Sequence, residues 1–77
     1  MIKEITKERL EALRKAYPTG CRVVLDEMAD KQAPPVGSPG TVTGIDDTGS
    51  IMVSWDKGGS LSVLYGIDRC HRIDKEV

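Results

Sequence analysis

Gly40-Thr41-Val42-Thr43-Gly44-Ile45-Asp46-Asp47-Thr48-Gly49-Ser50-Ile51-Met52-Val53-Ser54-Trp55-Asp56-Lys57-Gly58-Gly59-Ser60-Leu61-Ser62-Val63-Leu64 is the stretch on which the fold turns. Its apolar residues alternate, and two polar, glycine-containing breaks divide it into three short antiparallel strands. Asp46-Asp47-Thr48-Gly49 marks the first reversal: aspartate side chains bond nearby backbone N–H groups, and Gly49 accepts a positive φ. Lys57-Gly58-Gly59 marks the second. Side chains alternate with a period of two, so Ile51, Val53 and Trp55 share one face with Val42, Leu61 and Val63, while Met52 and Ser54 face away. Gly40 and Gly44 permit close backbone approach.

Outward from this core, Arg22–Asp26 reads as an earlier strand with Val23 and Leu25 inward, and Cys21 on the same parity. Arg69–Ile73 reads as a last, short and polar one. Five short strands with Gly and Pro turns between them predict a mainly β fold, a small five-stranded SH3-like barrel rather than a sandwich.

Before the barrel, Ile5, Leu10, Leu13, Ala16 and Tyr17 recur at helical spacing between Thr6, an N-cap residue, and Pro18. This predicts one N-terminal amphipathic α-helix over residues 6–16. The 77 residues then divide into an element, 1–18, packed on a barrel, 19–77, in a single domain. A chain this small buries only ~60% of its unfolded surface, so the helix serves either to cap the barrel or to pair with another chain.

Eleven basic and twelve acidic residues are interspersed, which disfavours duplex nucleic acid as the main partner, because phosphates call for clustered Lys and Arg. Arg69, His71 and Arg72 form the one local basic cluster. It is read either as solvated charge on an edge strand or as a contact for RNA or a small nucleotide. No stretch is long and apolar enough to span a membrane, and charges interrupt Ile2 and Ile5, unlike a secretion signal. The expected location is cytoplasmic, with Cys21 and Cys70 as thiols; a disulfide joining the first and last strands is the alternative.

The inventory for catalysis is thin. A Cys21–His71 thiolate–imidazole pair lacks a supporting motif, and Cys21, Cys70 and His71 fall one ligand short of a closed zinc site. No catalytic residue, metal or cofactor is implied. Glu27–Pro39 is more suggestive, because long connections in small domains are usually functional or mobile. Pro34 and Pro35 stiffen it, and Glu27, Met28 and Asp30 offer apolar and polar contacts beside Trp55 and Tyr65. For Met28 and Trp55 the other reading is burial. Tyr17, Trp55 and Tyr65 are the only aromatic residues, too few to predict a methyl-lysine cage or a base-stacking platform.

Tyr17-Pro18-x-Gly20-x-Arg22-Val23, Met28-x-Asp30, Pro34-Pro35-x-Gly37, Gly40-Thr41-Val42, Asp46-Asp47-x-Gly49, Trp55-Asp56 and Gly66-x-Asp68 span nearly the whole chain. Together they resemble an uncharacterised family of small domains from Firmicutes, their phages and mobile elements. The resemblance implies an SH3-like barrel and carries over no activity or catalytic residue. Cys70-His71-Arg72 departs from that family's more apolar last strand. A looser likeness, through Gly37-x-x-Gly40-x-Val42 and Val53-x-Trp55-Asp56, runs to KOW- and Tudor-type barrels.

The leading functional expectation is a non-enzymatic protein-binding module of phage or mobile-element type, an adaptor or an inhibitor of a host protein, including a defence protein. The alternatives are an oligomeric sponge for a small nucleotide signal, assembled through the helix or the barrel edge, and an RNA-binding module.

Overall fold

The computed structural model describes residues 5–74. The expectations for Ile2 and for the ends of the segments 1–18 and 19–77 lie partly outside them. One helix, α1 (Lys7–Ala16), precedes four strands: β1 (Arg22–Glu27), β2 (Pro39–Ile45), β3 (Ile51–Trp55) and β4 (Arg69–Arg72). All pair antiparallel in one sheet of order β3-β2-β1-β4.

Alternation explains the strands. Ile51, Val53 and Trp55 are buried while Met52 and Ser54 are exposed, and Cys21, Val23 and Leu25 face the same core. Val23, Leu25, Val42 and Val53 are its most deeply buried side chains, completed by Ile51, Trp55 and Val63. At the β2–β3 turn Gly49 has φ +88°, and Asp46 Oδ1 accepts from the N–H groups of Thr48 and Ser50 and from the Thr48 hydroxyl. These bonds, led by that of Thr48, hold the Asp46 carboxyl below its usual range. A β-bulge between Val42 and Gly44 increases the local twist.

The expected closed five-stranded barrel does not form. Leu61–Leu64 contributes a single bridge, Val63 to Ile51, and β3 and β4 remain the two separate edges of an open sheet. The reason lies in competing hydrogen bonds. The Trp55 indole N–H donates to the Leu61 carbonyl at 2.9 Å, and the Leu64 N–H donates to the Asp68 carboxylate at 3.0 Å. Groups that a ladder would require are thereby consumed by side chains. The reversal at Lys57-Gly58-Gly59 occurs, with φ of +111° and +91° at the two glycines, but it delivers the chain into a turn-rich segment instead of a strand.

The helix follows its sequence closely. Thr6 Oγ1 accepts from the Arg9 N–H at 3.1 Å, Arg14 and Lys15 lie in the last turn, and Tyr17 closes it by donating its N–H to the Leu13 carbonyl. Leu13 and Tyr17 pack against the core, whereas Ala16 is exposed. Arg14 donates to the Ile45 carbonyl and pairs with Asp47, while Arg72 donates to the Ala16 carbonyl and the Tyr17 hydroxyl to the Cys70 carbonyl. The helix is thus tied both to the β2–β3 hairpin and to β4.

Both cysteines are free thiols. Cys70 lies opposite Leu25 in the β1–β4 register. Cys21 precedes Leu25 by four residues, about 13 Å at the usual strand rise, which puts it too far from Cys70 for a bridge. Among the described residues no helix is long and apolar enough to cross a membrane.

Candidate functional site

The segment that fails to become a strand builds the most distinctive surface. After the bridge at Val63 the chain turns through Tyr65-Gly66-Ile67, with Gly66 at φ +80° and the N–H groups of Ile67 and Asp68 both donating to the Leu64 carbonyl. Asp68 is only 7% exposed. One carboxylate oxygen accepts from Leu64 N–H, and the other from Ala29 N–H at 3.1 Å. A buried carboxylate is tolerated because backbone donors replace water. Asp68 therefore fastens the Glu27–Pro39 connection to the Leu64–Asp68 turn.

Two depressions flank this tie. On one side Met28, Asp30, Leu61, Leu64 and Ile67 border a groove of about 350 Å³. Leu64 and Ile67 are 42% and 51% exposed, adjoining the half-buried Met28 and Leu61. On the other side a cleft of about 450 Å³ opens between α1, the start of β3 and the start of β4. Leu13, Ile51 and Val63 supply its apolar wall, Tyr17 and Tyr65 its rings, and Asp26 and Arg69 its charges. Leu64 and Asp68 border both.

Burial raises the Tyr17 phenol above its usual pKa, with the negative charge of Asp26 adding to the effect. Burial, reinforced by Asp26, pushes the Cys70 thiol up to about 11. Cys21 is likewise raised, by burial. Thiols held protonated are poor nucleophiles. Adjacent strand residues point to opposite faces, so Cys70 turns toward the core while His71, on the outer face, meets Asp26 at 2.8 Å.

The residues singled out from sequence distribute unevenly. Met28 and Asp30 line the groove, Tyr65 lines the cleft, and Pro34 and Pro35 line neither. Asp30 also shapes its own loop, accepting from Gln32 N–H at 2.7 Å. Trp55, 3% exposed, is core and presents no binding surface. Each member of the basic cluster meets an acid: Arg69 pairs with Glu27 at 3.1 Å, His71 with Asp26, and Arg72 with Asp74 at 2.6 Å. Side-chain bonds with Arg72 hold the Asp74 carboxyl below its usual range, and Arg22 does the same for Asp56. Leu64, Ile67 and Asp68 escape a reading by strand alternation. Their signal is the Gly66-x-Asp68 turn, which ends the strand pattern after Leu64. Among the described residues no group of three or more His, Cys, Asp or Glu side chains is placed to hold a metal ion.

The architecture defines a small, mainly β domain whose open sheet and single helix frame two adjoining surface depressions. The chain belongs to the DUF4314 family, a domain of unknown function, whose family model matches residues 6–73. Comparison with curated proteins and with solved structures gives no match.

Proposed function

We propose that the domain is a non-enzymatic protein-binding module, which docks an apolar side chain of its partner in the groove between Met28 and Ile67. The observation that carries this reading is the exposure of Leu64 and Ile67 beside Met28 and Leu61, on a segment held rigid by the buried Asp68. Contiguous exposed apolar surface, bordered here by Asp30, is characteristic of interaction sites. A preorganised turn also lowers the ordering cost of binding. The ion pairing of Arg69 with Glu27 and of Arg72 with Asp74 weakens the case for nucleic acid, because both guanidinium charges are already opposed by carboxylates.

The test is selection of a displayed random-peptide library on the wild-type domain, followed by affinity measurement on variants. Ile67→Asp changes an exposed position, so its stability shifts by about 0.5 kcal/mol or less. Its affinity for selected peptides falls about tenfold or more, because a carboxylate must then be buried against an apolar anchor. Peptides that bind Ile67→Asp as tightly as wild type refute the groove assignment.

A further inference from the structure

The β2–β3 hairpin and β4 lie on opposite sides of the open sheet, and α1 with its flanking residues touches both. Toward the hairpin, Arg14 donates to the Ile45 carbonyl and to Asp47, and Ile5 lies over Gly49, its Cδ1 2.8 Å from where a Cβ would stand. Toward β4, Arg72 donates to the Ala16 carbonyl at 3.2 Å and the Tyr17 hydroxyl to the Cys70 carbonyl at 3.4 Å. The Tyr17 bond falls on the free edge of the sheet. Ile73 N–H donates to the Arg22 carbonyl and His71 stands opposite Val24, so in an antiparallel ladder the backbone groups of Cys70 and Arg72 point away from β1. The end of the helix thereby covers an edge that would otherwise be open to pairing.

This cover is weakly held. No residue of α1 is buried, and of the helix and its cap only Leu13 and Tyr17 pack against the core. The side chains of the Arg14–Asp47 pair are 46% and 95% exposed, which places it among ion pairs that contribute little. A helix of 10 residues does not persist in water by itself. Tyr17, preceding Pro18, has left helical geometry at φ −127° and ψ 67°, whereas Gly20 N–H is fixed to the Val42 carbonyl at 2.7 Å. A pivot therefore falls at residues 17–19, and β1 keeps its place when the helix leaves.

We infer that α1 is a releasable strap. Docked, it ties the hairpin to β4; released, it melts and uncovers the β4 edge together with the cleft wall formed by Ile51, Val63 and Cys70. Leu13 and Tyr17 line the same cleft from the helix side, so the position of the strap sets its width. Elements with few buried contacts open below the cost of global unfolding, and movable covers are drawn from them. The inference is independent of the groove between Met28 and Ile67, none of whose lining residues belongs to α1.

Native-state hydrogen exchange on the full chain, resolved by NMR at a series of low urea concentrations, tests the strap. Amides of residues 10–17 exchange at least tenfold faster, relative to unprotected peptide, than Leu25, whose N–H is bonded to the Ser38 carbonyl within the sheet. Their rates also rise less steeply with urea, because release exposes less surface than unfolding. Alkylation of Cys70 by iodoacetamide, read by mass spectrometry of its tryptic peptide, follows the shallow urea dependence of the helix and not the steep one of Leu25. Arg14→Gln speeds both helix exchange and Cys70 alkylation about threefold, the scale of one exposed ion pair. Helix and Leu25 amides exchanging with one rate and one urea dependence, or Cys70 alkylation indifferent to Arg14→Gln, overturns the inference.

Discussion

Gly40→Ala places a methyl group where β2 passes closest to the core of β3. A Cβ at that position would lie 2.5 Å from Val53 Cγ1, 2.8 Å from Trp55 Cε3 and 3.0 Å from the Ser54 carbonyl oxygen. Val53 and Trp55 are 1% and 3% exposed, so neither can swing into solvent, and the carbonyl is part of the β2–β3 ladder. Overpacking a filled core typically costs about 1–3 kcal/mol. With two rigid core neighbours and a backbone atom in the way, the cost falls at the upper end. The lower entropy of the unfolded alanine chain offsets about 0.4–1 kcal/mol. The net loss is about 2–2.6 kcal/mol, or about 8–20 °C in Tm for a domain of this size. Urea unfolding followed through Trp55, the only tryptophan, measures it directly. Gly58→Ala provides the comparison. That glycine has φ +111° but nothing within 4 Å of its would-be Cβ, so it reports backbone strain without crowding. A Gly40→Ala loss below about 0.5 kcal/mol, with native Trp55 emission, would refute the packing argument.

Asp68→Asn retains the shape of the buried side chain but turns an NH2 group toward one of two backbone donors. It is expected to cost about 1–3 kcal/mol and to accelerate hydrogen exchange at the Ala29 and Leu64 amides, which NMR resolves residue by residue. The pH profile has two limbs of opposite sign. Asp46, Asp56 and Asp74 are held below the usual carboxylate range, so the stability they contribute is present above about pH 4 and lost as pH falls through their folded values. Cys70 is raised to about 11, so in alkali the unfolded chain releases its proton first. Its contribution then declines between about pH 9 and 11, by about 1–2 kcal/mol after allowance for partial solvent access, and Cys70→Ala lessens the alkaline decline, to which the raised Cys21 and Tyr17 also contribute. Urea titrations across pH check both limbs.

Legibility in the sequence followed the range of the interactions. The Thr6 cap, the Asp46–Gly49 turn and the inward parity of Val23, Leu25, Val53 and Trp55 are set within a few residues, and each stands in the structure as read. Leu61–Leu64 carries the same alternation but became a bridge and a turn, because the Trp55 indole and the Asp68 carboxylate, six and four residues away, took its backbone partners. Pro34 and Pro35 drew attention by composition, yet the depressions lie beside Met28 and Asp30 and across from them at Leu64 and Ile67.

The helix, the reversals and the apolar side of each strand were readable from residue order, since periodicity and turn chemistry act locally. That the sheet stays open and that Asp68 joins two connections emerged from the folded arrangement. It alone also showed that Arg22 grips Asp56, and that Arg69, His71 and Arg72 are matched by acids. The ties of Asp68 to Ala29, Arg22 to Asp56, Arg69 to Glu27 and His71 to Asp26 join groups 34 to 45 residues apart. The open sheet turns on side chains that compete for backbone donors and acceptors. Alternation shows where a strand can form, while that competition settles whether it finds a partner.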